Sequence, residues 1–208
     1  EGPSLVSFNV NGALPDPSLT LVASGATVAS NDNWVAGDAV TFTATGAFAL
    51  AAGSRDAAIV SNLPAGAYSA TVGAGGGAGV VLLEVYDADG SGSAARLVNT
   101  STRAFVGTGE QALIPGFVIA GTGTARILLR AVGPTLADFG VGGTLNDPQM
   151  TVFSGPLPVA TNDNWSTAAN ASAIATASAT AGAFALPAGS RDAALLLELG
   201  AGAYTVNV

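Results

Sequence analysis

Residues 2–34, GPSLVSFNVNGALPDPSLTLVASGATVASNDNW, align without a gap to residues 133–165, GPTLADFGVGGTLNDPQMTVFSGPLPVATNDNW. A second block recurs downstream of each: GAFALAAGSRDAAIVSNLPAGAYSATV at 46–72 and GAFALPAGSRDAALLLELGAGAYTVNV at 182–208. Residues 73–132 lie between the copies and occur once. The chain therefore carries about one and a half units of a modular protein, and stacked modules usually do scaffolding work.

Working outward, two-residue alternation and turn punctuation place strands at 18–23, around Val40–Thr43, at 66–72 and, in the second copy, at the matching positions. Tyr68, Ala70 and Val72 share one face of such a strand, as do Tyr204, Val206 and Val208. The once-only stretch adds VVLLEVYD at 80–87, RAFVG at 103–107, ALIPGFVIA at 112–120 and ARILLRAV at 125–132, with Pro115 marking an edge or a bulge. Residues 168–178 are ambiguous: Ala at every odd position from 169 to 185 has the strand period, whereas Ala itself favours helix. Many short strands between Gly- and Pro-rich turns predict an all-β fold, two β-sandwich (jelly-roll-like) modules built from the imperfect repeat. The expected domains are 1–92, lacking the opening strands, and 93–208, lacking the closing strand. Sheets left incomplete in this way expose edges that either pair within the chain or accept a strand from a neighbour. A contact between unlike ends is heterologous, and a filament is its simple outcome.

Composition narrows the functions. The net charge is −8 and all six basic residues are Arg, with no cluster among them, which disfavours nucleic acid and anionic membranes. Neither Cys nor His occurs, so disulfides, thiol chemistry, conventional structural zinc and imidazole bases are excluded. No apolar run approaches the roughly 18 residues of a membrane helix, so no membrane insertion is expected. Glu1 in place of Met reads as a processed end, and a chain without Cys or Lys as an exported bacterial product. Ser and Thr are plentiful, but no His or Lys stands by to activate them, so the chain is read as no enzyme, with no catalytic residue.

Four motifs carry the remaining signal. Asn31-Asp32-Asn33-Trp34 and Asn162-Asp163-Asn164-Trp165 read first as turns whose Asx side chains bond the local backbone while the Trp packs beneath. Calcium at Asp32 and Asp163, or a sugar stacked on the Trp, are the sharper alternatives. Asp87-Ala88-Asp89-Gly90-Ser91-Gly92 resembles the start of a calcium loop, but the twelfth position, where an EF-hand carries Glu, is Val98. If an ion binds, Asp87 and Asp89 are its ligands and calcium is the ion; no other cofactor is expected. Gly-Ser-Arg-Asp recurs at 53–56 and 189–192 and reads as a clamp, with Arg55 or Arg191 reaching a carboxylate or carbonyl on a neighbouring strand while Asp56 and Asp192 point to the other face. The glycines of 73–79 lack the following helix that a phosphate loop needs and read as a connection.

The phrases LVASGATVASNDNW, LPAGAYSATV and VVLLEVYDADG resemble the bacterial pre-peptidase C-terminal β-sandwich domain, over 19–90 and again over 150–208 without the last strand. The longer phrase STRAFVGTGEQALIPGFVIAGTGTARILLRAVGPTL resembles repeat modules of large secreted, Verrucomicrobia-like bacterial surface proteins. That resemblance implies a non-catalytic, extracellular or cell-surface module. The expected function is a structural subunit of an extracellular filament or surface polymer, joined head to tail to copies of itself by strand complementation. The alternative is an accessory module of a secreted enzyme or adhesin, with polysaccharide as its partner.

Overall fold

A computed structural model describes residues 1–89 and 92–208. Gly90 and Ser91, within the candidate calcium loop, lie outside the described residues. The chain divides into two compact units, Glu1–Ser101 (unit 1) and Thr102–Val208 (unit 2).

Unit 1 contains β1 (Ser18–Ala23), β2 (Ala26–Asn31), a seven-residue helix α1 (Ala39–Thr45) and β3 (Ser69–Gly73). Its sheet has the order β2-β1-β3 and is antiparallel throughout. A 3-10 turn, Pro3–Phe8, precedes it. Unit 2 contains β4 (Gly116–Ala131), a 3-10 turn at Pro134–Phe139, β5 (Met150–Ser154), β6 (Leu157–Asn162), α2 (Ala171–Thr180) and β7 (Ala193–Asn207). Its antiparallel sheet runs β4-β7-β5-β6, so β4 is an outer strand. The repeat is visible down to its irregularities: the β1/β2 ladder slips between Leu21 and Val22, and the β5/β6 ladder slips at the matching Val152 and Phe153.

The expectation of an all-β pair of jelly-roll sandwiches is overturned. Each unit has one open, uncurled sheet together with helix, a mixed α/β arrangement in which no second sheet closes a sandwich among the described residues. In unit 2 the layer over one sheet face is helical. Ile174 of α2, Trp165 and Leu186 bury against Ala194, with Leu128, Val132 and Leu196 packed around them. The other face gathers Ala131, Met150, Val152, Ala193 and Val206.

Two segments explain the error. Val40–Thr43, expected as a strand, lies in α1. Thr43 and Thr45 donate their hydroxyls to the carbonyls of Ala39 and Thr41, both at 2.9 Å, which accommodates β-branched residues in a helix. Gly46 then ends the helix at φ 74°, a left-handed cap. The ambiguous 168–178 is settled as helix over its C-terminal part: a 3-10 turn at Trp165–Thr167 leads into α2, where Ile174 and Ser178, one turn apart, are the buried pair. Alanine's helix preference wins over its alternation because so small a side chain gains little in a sheet. Two further expected strands are absent as such. Residues 103–107 are irregular, and 80–87 form no strand but keep a parallel bridge from Val80 to Ala13 and a backbone pair between Leu82 and Glu1. Of residues 112–120, strand β4 takes those from Gly116, and ahead of it Leu113 exchanges both backbone bonds with Val208 while the Pro115 carbonyl accepts the Val206 amide.

Candidate functional site

The most densely built site of each unit is a buried aspartate. Asp56 and Asp192 are both fully inaccessible, and each accepts hydrogen bonds from the same places in its copy. The Asp56 carboxylate receives the Gly2 amide at 2.7 Å, the Ser4 amide at 3.4 Å and the hydroxyls of Ser4 and Ser54 at 2.6 and 2.7 Å. Asp192 receives the Gly133 amide at 2.8 Å, the Thr135 amide at 3.3 Å, the Thr135 hydroxyl and the Ser190 side chain. Burial alone would raise these carboxyls, but the bonds donated by Ser4, Ser54 and Gly2, or by Thr135, Ser190 and Gly133, outweigh it and hold both below the usual carboxylate range. A carboxylate saturated with donors is a poor proton acceptor and a good staple. It ties the first 3-10 turn of the module to the Gly-Ser-Arg-Asp segment some fifty residues later.

The glycine at the head of that turn is required by space. A Cβ on Gly2 would lie 2.2 Å from the Leu14 carbonyl oxygen, and one on Gly133 would lie 2.2 Å from that of Leu145. The Asx-Trp turn docks on the same aspartates: the Trp34 amide donates to the Asp56 carbonyl at 2.8 Å and the Trp165 amide to that of Asp192 at 2.9 Å. The indole N–H of Trp34 reaches Ala51 O and Ser54 Oγ, and that of Trp165 reaches Pro187 O and Ser190 Oγ. Asn31 and Asn162 accept the Ala58 and Ala194 amides at 3.0 and 2.9 Å and donate to the carbonyls of Asn33 and Asn164. The Trp165 ring is buried, so it presents no face for a sugar to stack on.

The remaining expected residues fall outside this cluster. Arg55 pairs with Asp16 at 3.1 Å and Arg191 with Asp147 at 3.4 Å, both at the exposed surface. Asp32 accepts from the Asn33 side chain at 3.2 Å. Asp163 stands in the matching turn with no role of this kind. Asp87 accepts the amides of Leu97 and Asp89, which hold it below its ordinary range, and pairs with Arg96 at 3.0 Å. Among the described residues, no three acidic side chains converge as a metal site would require.

The sequence singled out Arg55, Asp56, Arg191 and Asp192 as a clamp but missed which partner is central. The aspartate does the binding and the arginine lies at the rim. Gly2, Ser4, Gly133 and Thr135 were overlooked, although Gly-Pro-Ser/Thr-Leu recurs with Gly-Ser-Arg-Asp in both copies and could have revealed them. Arg130 was also missed. Its guanidinium sits 4.5 Å from the centre of the Phe184 ring, its Nε and Nη2 are buried without a hydrogen-bond partner, and burial depresses its pKa against the opposing pull of Asp192.

No protein-family model, curated protein or solved structure matches this chain. Among the described residues, no helix is long and apolar enough to cross a membrane.

Proposed function

We propose that the chain is a non-catalytic structural module that associates with copies of itself outside the cell, end to end, by strand addition. The observation that carries this reading is the outer edge of β4, which pairs with β7 alone among the described residues; the corresponding segments of the repeat also differ in their pairing. In unit 2, Ala193–Leu199 form half of β7 and pair with Ala125–Ala131 of β4. In unit 1 the matching Ala57–Leu63 form no strand, and Val60 is about half exposed. In unit 2, β4 offers its outer edge. Apolar edges of this kind are templates for another strand. The two lie in different units, so joining them is heterologous and propagates. Two further features support the reading: the buried aspartate of each module is consumed in holding it together, and the composition suits export.

The test is the state of the purified chain at neutral pH, by sedimentation and negative-stain imaging. Linear polymers whose length grows with concentration are expected. Discrete monomers of constant mass up to high concentration would overturn the reading.

A further inference from the structure

Asparagine followed by glycine occurs once in the chain, at Asn11-Gly12. The pair sits in an exposed turn ahead of β1, where Gly12 takes φ 71°. Among the described residues, neither the Asn11 side chain nor the Gly12 amide makes a hydrogen bond. The space around Gly12 is open, with nothing within 4 Å of where a Cβ would stand. Every other asparagine precedes a residue whose side chain crowds the following amide. Asn31, Asn162 and Asn170 also have their side-chain N–H groups bonded to the carbonyls of Asn33, Asn164 and Leu196. The second copy writes the same turn Gly142-Gly143, with Gly143 at φ 68°, so the turn itself does not call for Asn.

A backbone amide with no side chain beside it can reach the side-chain carbonyl carbon of the preceding Asn. The Gly12 nitrogen gives up its proton and bonds to Asn11 Cγ, and the bond from Cγ to Nδ2 breaks with release of ammonia. Water then opens the five-membered succinimide. Addition at Cγ gives aspartate. Addition at the main-chain carbonyl gives isoaspartate, in which the chain runs on through Cβ and Cγ. In sum, water is consumed, ammonia leaves and a carboxylate replaces an amide, with no change of oxidation state.

The turn is also a seat for a distant segment. The Gly12 carbonyl accepts the Val80 amide and the Leu14 amide donates to the Val80 carbonyl, both at 2.8 Å. Gly79 passes so close that a Cβ on it would lie 2.7 Å from Leu14 Cα and 2.8 Å from Gly12 O. Leu14, beneath this contact, is 3% exposed. Isoaspartate adds a carbon to the main chain directly before Gly12, where two backbones already touch and neither has a side chain that could give way. We infer that Asn11 is a site of spontaneous deamidation, and that its isoaspartate form loosens the seat of Val80 on Gly12 and Leu14. The inference stands apart from end-to-end assembly and needs no second copy.

The test is to age the folded chain in warm buffer, in a mildly acidic and a mildly alkaline arm, beside a denatured control. Proteolytic peptides are followed by mass spectrometry, and isoaspartate is detected by enzymatic methyl transfer to its α-carboxylate. The Asn11 peptide should convert from amide to acid in most chains, faster in the alkaline arm because the attacking nitrogen must lose its proton. The other asparagines should stay intact, and Asn11→Gly, which copies the second module, should abolish the methylation signal. Hydrogen exchange at the Leu14 and Val80 amides should be about tenfold or more faster in the isoaspartate fraction. It should be unchanged in Asn11→Asp, which carries the new charge without the longer backbone. An Asn11 amide that persists in the folded chain while the denatured control converts would overturn the site. Isoaspartate without faster exchange at Leu14 and Val80 would overturn the loosened seat.

Discussion

Units 1 and 2 share two repeated blocks and fold to different depths. In unit 2, β7 lies between β4 and β5, and side chains bury on both faces: Met150, Val152 and Val206 on one, Ile174, Trp165 and Ala194 on the other. In unit 1 the matching Leu19, Leu21 and Ala58 are only half-buried, and α1 has no buried residue. The corresponding segments differ in sequence, AALLLEL at 193–199 against AAIVSNL at 57–63, and in pairing. Where Ala125–Ala131 are present, Ala193–Leu199 become strand and core. Without such a neighbour, Ala57–Leu63 gain neither backbone bonds nor cover. Strand formation is a property of the pair, which is why β propensity depends so strongly on context.

The comparison can be broken most severely at its shared point. Asp192→Ala and Asp56→Ala should each cost their unit about 3–5 kcal/mol, because four donors lose a buried acceptor at once. Chemical denaturation followed by Trp fluorescence would report it, and equal sensitivity of both units would show that the clamp is independent of β4. The pH dependence has a definite sign. Both carboxyls lie below their ordinary value when folded, so their contribution is fully present above about pH 4. It is lost as pH falls through the lowered folded values, and acid unfolding of the parent should flatten in the Asp192→Asn variant.

A core substitution separates the units. Met150→Ala, at a site 1% exposed, should destabilise unit 2 by about 2–5 kcal/mol. Leu19→Ala, the matching half-buried site, should cost unit 1 clearly less. Equal losses in thermal melts would mean that unit 1 is covered in solution, as assembly would require. The smallest effect belongs to the rim: Arg191→Ala removes an exposed ion pair and should shift stability by about 0–1 kcal/mol, a change that salt largely erases.

Several parts of this were legible early. The Asx-Trp turns, the Gly-Ser-Arg-Asp phrase, β1 and its repeat β5, and the shared face of Tyr204, Val206 and Val208 follow from local chemistry that any fold must respect. The helix at Val40–Thr43 was not legible, because Thr and Val alternation has the period of a strand, and the hydroxyl bonds that permit helix appear only once the backbone has turned. The buried aspartate was half legible: its repetition marked it, but three of the four bonds donated to it come from more than fifty residues away.

By itself the sequence determined that two partial copies of one module are present, that neither contains His, Cys or Lys, and where the tight turns fall. These depend on residue identity and short-range sterics. Tertiary structure alone decided that each module combines an open sheet with helix, that Asp56 and Asp192 are the staples, and that one copy is paired where the other is not. Those outcomes depend on which distant segment arrives to complete a backbone ladder, and a strand's worth is set by its neighbour.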